Sequence, residues 1–395
     1  MGELREVVIL GAARTPIGRF MGGLSTVAAP RLGSAAIAEA VRRAHIPPER
    51  VNEVYMGIIL AAGLGQAPAR QATIYAGLPN TVPATTLNKM CGSGLKAVML
   101  GAQAIQTGDA DIIVAGGMEN MSAAPYLLDR ARAGYRIGHG ALVDSMIKDG
   151  LWDVYTQMHM GNCAELLARE YKISRAEQDE FARRSYTRAL EAMDSGHFRR
   201  EIVPVEVPGE GGAARVVAED EEPRRYDPSK LAALRPVFEE GGTVTAANAS
   251  SISDGAAALV LAAADVAREF DARPLARIVG QAVVATAPEW FTIAPAGAIR
   301  RLLSKIGWTR EAVDLYEINE AYASVVIAVA RDVGLDMDRV NIHGGAVALG
   351  HPIGASGARI LTTLLNAMQE REVRRGIAAV CLGGGEAVSL AVERL

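Results

Sequence analysis

Cys91 stands in Asn88-Lys89-Met90-Cys91-Gly92-Ser93-Gly94-Leu95, a glycine-spaced stretch between an extended run, Thr81 to Leu87, and a segment whose apolar residues Leu95, Val98, Met99, Ala102 and Ile105 fall at helical spacing. The pattern predicts a strand-to-helix turn with the thiol at the turn. The first backbone N–H groups of a helix lack intrahelical partners and carry partial positive charge, so they favour a thiolate. Gly92 and Gly94 are read as leaving room for a bulky substrate to approach the backbone. A lone cysteine is as a rule a small buried hydrophobe, so a nucleophile here requires a base elsewhere. His351 offers one, in the glycine-dense loop Gly344 to Gly357, stiffened by Pro352 and placed just before a helix. Val380-Cys381-Leu382-Gly383-Gly384-Gly385 puts a second thiol at the end of a strand, and Glu317-Ile318-Asn319-Glu320-Ala321-Tyr322 opens a helix with polar groups. Cys163 reads as a core thiol, and His45, His139 and His197 as surface residues.

The elements that must position these groups follow from the pattern of the chain. Val7 to Leu10 is a buried-type strand. The glycines after it lack G-x-G-x-x-G spacing and Pro16 interrupts any immediate helix, which argues against a dinucleotide site. A helix over Arg31 to Ala44 stops at Pro47-Pro48, a strand follows over Glu53 to Leu60, and another over Asp111 to Ala115 ends in paired glycines. From Met121 to about Thr243 the chain turns to polar helices (Cys163 to Ala192) and a Gly- and charge-rich stretch (Pro208 to Pro228), with little buried strand. This reads as an inserted, covering region. Regular alternation resumes at Val244, and the second half echoes the first at an offset of about 265 residues. Cys91-Gly-Ser-Gly-Leu-Lys pairs with Gly354-Ala-Ser-Gly-Ala-Arg, and Asp111-Ile-Ile-Val-Ala-Gly-Gly with the strand from Gly376 to Gly385. Val8-Ile-Leu-Gly pairs with Arg277-Ile-Val-Gly, and Glu53-Val-Tyr with Asp314-Leu-Tyr. The reading is an α/β protein with a duplicated half: residues 1–120 with 244–270 form one half, 121–243 the insertion, and 271–395 the other half. Sites in such sheets lie beyond the carboxyl ends of the strands, where Cys91, Gly116, Asn319, His351 and Gly383 converge.

Composition narrows the function further. The chain has 395 residues, half of them hydrophobic, with 41 glycines and a net charge of −4, which fits a packed enzyme and gives nucleic-acid binding no basic surface to work with. Three cysteines without close metal-ligand spacing support neither a disulfide scaffold nor a zinc site, and suit a reducing cytoplasm. The start, Met1-Gly-Glu-Leu-Arg-Glu, is too short and acidic for a secretory signal, and the longest apolar runs are half a membrane span.

Taken together, Asn88 to Gly94, Gly116 to Ser122, Asn319 to Ala323, Gly344 to Gly357 and Cys381 to Gly385 resemble the thiolase family over essentially the whole chain. Leu64 to Ala72 and Gly242 to Ser250 resemble thiolase blocks too. The resemblance implies a duplicated five-layer αβαβα core with a loop domain inserted in the first half. It also implies reversible Claisen condensation of two acetyl-CoA to acetoacetyl-CoA and CoA through an acyl-cysteine. Cys91 is then the nucleophile, His351 its base, and Cys381 the acid/base at the α-carbon. One oxyanion is held by His351 with a water fixed by Asn319, the other by the N–H groups of Cys91 and Gly383. Ser250, Phe238, His159 and Met160 line the CoA channel, with Arg224 against the adenine. No metal or bound cofactor is implied, the CoA thioesters being substrates, and assembly is as a homodimer or a homotetramer, the latter through Asp129 to Gly150.

His159-Met160 resembles the short-chain, acetoacetyl-CoA type rather than a broad-range degradative 3-ketoacyl-CoA thiolase. Four residues depart from the familiar pattern: Ser251, Tyr322, His343 and Glu386, the last expected to point away from Cys381. Other classes predict different residues. A ketoacyl synthase would carry His or Asn at position 381, and a non-catalytic acyl-CoA or lipid-binding relative would lack Cys91, His351 or Cys381.

Overall fold

The architecture is that of a computed structural model, which describes residues 4–209, 213–270 and 272–395. The first three residues of the start read above, residues 210–212 of the charge-rich stretch and the half boundary at Asp271 lie outside the described residues.

The first half consists of β1 (Val7–Arg14), α1 (Ala29–Ala44), β2 (Glu53–Gly57), α2 (Pro68–Tyr75), β3 (Ala84–Leu87), α3 (Ser93–Thr107) and β4 (Ile112–Asn120). The inserted helices α4 (Met160–Glu170) and α5 (Arg175–Asp194) precede β5 (Ser253–Ala263), which returns the chain to the first sheet. The second half is β6 (Ala276–Ala285), α6 (Ala294–Ile306), β7 (Leu315–Ile318), α7 (Ala323–Val333), α8 (Ser356–Glu370), β8 (Arg375–Leu382) and β9 (Glu386–Glu393).

Strand order makes the duplication explicit. The first half runs β3-β2-β4-β5-β1 and the second β7-β8-β9-β6, with Val340 bridging Tyr316 in parallel where the first half has its edge strand. In both, the strand that leads into the site is parallel to its outer neighbour and antiparallel to the next. The halves are stitched by a short antiparallel pairing of β1 with β6, Val8 opposite Arg277 and Ile9 opposite Ala276. α3 and α8 lie against each other between the sheets, α1 and α2 cover the outer face of the first, and α6 and α7 that of the second. Every residue of β4 and β5 is buried. A strand covered by helices on both faces reads as a near-continuous apolar run, which is how Asp111 to Ala115 reads in the sequence.

The insertion has its own local logic. Ser174 Oγ accepts the Glu177 N–H while the Glu177 carboxylate accepts the Ser174 N–H, a capping box that starts α5. The core of the insertion is continuous with the second half, although the insertion interrupts the first: Cys163, Leu167 and Phe181 pack in one cluster with Ile299, Val326 and Leu349. Periodicity marks which face of a helix is apolar but not which half receives it. Among the described residues no helix is long and apolar enough to cross a membrane.

Candidate active site

Two helix starts meet at the centre of the molecule. A Cβ on Gly94 in α3 would lie 2.8 Å from Ala358 N, and one on Gly357 in α8 would lie 2.5 Å from Leu95 N. Real Cβ atoms do not approach so closely, so glycine at these two repeat-equivalent positions is what lets the helices touch. A Cβ on Gly92 would meet Leu382 Cδ2 at 2.6 Å. The expectation that Gly92 and Gly94 make room for substrate is therefore corrected: both make room for protein.

Cys91 lies just ahead of α3, after Met90, whose φ of 47° falls in the left-handed region that a non-glycine residue adopts only when its surroundings compel it. Here they do. Asn88 Oδ1 accepts the Met90 N–H at 2.9 Å, while Ser93 Oγ accepts the Lys89 N–H at 2.8 Å and donates to Met90 O at 2.6 Å. The backbone N–H groups of Cys91 and Gly383 favour the Cys91 thiolate. Burial nevertheless outweighs them and pushes the thiol up to about 12, with the nearby Glu119 charge adding to the rise. In the resting protein burial thus opposes the thiolate that the helix start favours. The sequence displays the helix end but not the dryness around it.

His351 is set up to remedy this. The one hydrogen of Ser356 Oγ goes to Pro352 O at 2.9 Å, so its 2.5 Å bond to His351 Nδ1 must be donated by the imidazole. Nε2 is then the unprotonated nitrogen, and it faces Asn319 Nδ2 at 3.4 Å. Burial first, and the Arg359 guanidinium second, pull His351 down to about 3, which keeps it a neutral acceptor at physiological pH. The His351 backbone N–H donates to Ser251 O at 3.1 Å. The following turn is strapped by Glu119, whose carboxylate accepts the N–H groups of Ile59, Leu60 and Gly354 at 3.1, 3.1 and 2.9 Å. Burial raises Glu119 to about 7. Glu119 and Ser356 are absent from the sequence-based list. Each sits inside a quoted motif, and a carboxylate at the end of an apolar strand was the available signal for the first.

Cys381, next to last in β8, is buried, its thiol pushed up by burial and by its neighbour Cys91. Glu386 turns away from it to pair with Lys89, as expected. Cys91 and His351 share a cavity of about 370 Å³ with Ser250, Phe238, His159 and Met160. Cys381, Gly383 and Asn319 stand behind it, the first two beside Cys91 and the last beside His351. Ser250 Oγ donates to Ala321 O at 2.9 Å. His159 Nδ1 accepts the Gly161 N–H at 3.0 Å, capping α4, and its ring stacks on Phe238 at 4.9 Å. Phe238 in turn meets Tyr322 edge-on at 6.2 Å. Burial among Cys163, Cys91 and Cys381 raises the Tyr322 phenol. Phe291, Leu151 and Ile252 also line the cavity and carry no chemical signal in the sequence.

Arg224 is not brought to this cavity. It pairs with Asp194 at 2.6 Å and lies on a separate surface depression with Arg19 and Glu221. His197, read as a surface residue, is partly exposed, with its ring stacked on His343 at 4.8 Å and its Nδ1 2.6 Å from Glu370 Oε2.

A strained turn presenting a thiol, a neutral imidazole facing the same cavity, and a second thiol behind it define an acyl-transfer site on a duplicated α/β scaffold. The family model described as thiolase, N-terminal domain, matches residues 7–265 and that described as thiolase, C-terminal domain, residues 272–394. The chain belongs to the thiolase family. It is 52% identical over 393 residues to acetyl-CoA acetyltransferase 2 of Arabidopsis thaliana, covering 99% of this chain and 98% of the relative. Against acetyl-CoA acetyltransferase of Cupriavidus necator it is 52% identical over 392 residues, covering 99% and 100%. The crystal structure of the Bacillus anthracis acetyl-CoA acetyltransferase superimposes with a TM-score of 0.98 at 42% identity, each chain covered in full.

Proposed function

We propose that this chain is an acetyl-CoA acetyltransferase that condenses two acetyl-CoA to acetoacetyl-CoA and CoA, and cleaves acetoacetyl-CoA with CoA in reverse. The observation that carries the reading is the fixed tautomer of His351 beside the Cys91 thiol. Because both groups rest neutral, Cys91 must lose its proton as it attacks the thioester carbonyl, and Nε2 is the acceptor. The departing CoA thiolate takes the proton of Cys381, leaving an acetyl group on Cys91, a thiolate at Cys381 and the Cys91 proton on His351 Nε2. Cys381 then removes the α-proton of a second acetyl-CoA. A thiol held high is a strong base once ionised, which suits a weakly acidic carbon. The carbanion attacks the acetyl carbonyl on Cys91, the carbon–sulfur bond breaks, and the released Cys91 thiolate takes its proton back from His351.

Two oxyanions arise. The N–H groups of Cys91 and Gly383 stabilise the one on the acyl-cysteine. His351 Nε2–H, whenever it holds the proton, stabilises the one on the second thioester, together with a water bound by Asn319 Oδ1, a buried oxygen without a partner among the described residues. Each such donor is worth roughly 3 to 4 kcal/mol of barrier. This reading uses no resident metal or cofactor.

The His159, Phe238 and Tyr322 rings and Met160 narrow the cavity, which favours a short acyl chain over a broad-range degradative substrate. The test is thiolysis: kcat/KM should fall steeply from acetoacetyl-CoA to medium- and long-chain 3-ketoacyl-CoA, and equal or higher values on the longer chains would make this a degradative 3-ketoacyl-CoA thiolase. Exposed Tyr126, Ile137, Leu142 and Tyr155 give the 121–155 loop an apolar surface suited to a homotetramer over a homodimer. Three free cysteines suit the cytoplasm.

A further inference from the structure

Far from the substrate cavity, three segments distant in sequence bring together His197, from the turn after α5, His343, from the loop before Gly344, and Glu370, at the end of α8. None of the three lines the cavity. Their nearest ligating atoms all fall within 4.8 Å of one another. Both imidazoles address the same carboxylate oxygen, His197 Nδ1 at 2.6 Å and His343 Nε2 at 3.2 Å from Glu370 Oε2. His343 is only 7% exposed, and its Nε2 has no hydrogen-bond partner among the described residues. A buried ring nitrogen beside a carboxylate and without a hydrogen bond is a group that a shared ligand would satisfy.

We propose that His197, His343 and Glu370 form a structural site for a divalent first-row transition metal of the zinc class, fastening the inserted segment to the second half. Two imidazoles and a carboxylate are the ligand set such ions take, with a fourth position left to water. Ligand atoms at about 2.0 to 2.2 Å from the ion would stand roughly 3.5 Å apart, so the set closes by a small rotation of His197, the more exposed of the two rings. Among the described residues the other charge paired with the carboxylate is the Arg371 guanidinium, 3.8 Å from the other oxygen, Oε1, and exposed. The sequence expectation of no metal was drawn from cysteine spacing. This cluster contains no cysteine, and no local spacing could announce it because α8 and the insertion meet only in the fold.

The full-length protein, stripped with chelator and alkylated at Cys91, is titrated with Co²⁺ alone and then with Zn²⁺ alone. The expected result is one Co²⁺ per chain, with visible ligand-field bands and no near-ultraviolet thiolate band. Zn²⁺ should compete for it and raise Tm by about 3 °C. His343→Asn and His197→Gln should each weaken Co²⁺ binding about tenfold or more and remove the Tm rise, while unalkylated samples of both keep wild-type thiolysis, which shows that they fold. The proposal is overturned if the wild-type protein takes up no Co²⁺, if both variants bind it as the wild type does, or if the bound ion shows the thiolate band that would place it on cysteines.

Discussion

The Ser356 hydroxyl, 2.5 Å from His351 Nδ1 and already committed as a donor to Pro352 O, dictates which nitrogen of the imidazole is free to act. The proton acceptor proposed above is thus specified by a residue in the first turn of α8 that does not line the cavity.

Ser356→Ala leaves the buried Nδ1–H without an acceptor and lets the other tautomer compete. An unmet buried donor costs about 1 to 3 kcal/mol. Cys91 acylation, followed by rapid quench, should slow by roughly tenfold or more with KM little changed. An unaltered acylation rate would show that the tautomer is set by something else.

Acid stability should register the buried neutral imidazole. With His351 held near 3, the unfolded chain takes up a proton below about 6.5 that the folded chain refuses, so this residue makes stability fall as pH drops through that window. In His351→Asn the contribution is gone. Between pH 4 and 6 the unfolding free energy of the variant should lose up to about 1.4 kcal/mol per pH unit of the wild-type slope. Parallel profiles in urea titrations would contradict the depressed value.

Glu119→Gln replaces one acceptor oxygen with an amide nitrogen facing the N–H groups of Ile59, Leu60 and Gly354. At least one of them loses its partner, a cost of about 1 to 3 kcal/mol. A lower Tm should be accompanied by a lower kcat, because the Gly354 turn carries the His351 loop. A lowered Tm with unchanged kcat would make Glu119 purely structural.

Two glycines separate packing from chemistry. Gly94→Ala forces a Cβ to 2.8 Å from backbone, whereas at Gly383 the nearest atoms are the flexible Met90 Cε at 3.6 Å and Met160 Sδ at 3.7 Å. The first substitution should destabilise by about 1 to 3 kcal/mol or abolish folding. Gly383→Ala should fold normally and retain acylation, since its backbone N–H is what acts. Thermal melts and acylation rates of the two purified variants check the contrast.

The fold was legible because it is written twice. The Cys91-Gly-Ser-Gly and Gly354-Ala-Ser-Gly starts open α3 and α8, and the matched strands become β4 and β8. Cys91, His351, Asn319, Cys381 and Gly383 were readable because each is a reactive group or a glycine at an element boundary. What stayed hidden depends on distant packing. The reason for Gly94 lies at Ala358, and the burial that raises the Cys91 thiol has no local mark in the sequence. The turn of Arg224 toward Asp194 and the meeting of His197 with His343 arise from how the insertion lies on the second half.

The division of labour between the two thiols is the centre of the account. Intact-mass and peptide analysis of Cys381→Ala and Cys91→Ala after incubation with acetyl-CoA tests it directly. Cys381→Ala should carry one acetyl group, on Cys91, and form no acetoacetyl-CoA, while Cys91→Ala should carry none. Normal condensation by Cys381→Ala, or an acetyl group on Cys381 in place of Cys91, would contradict it.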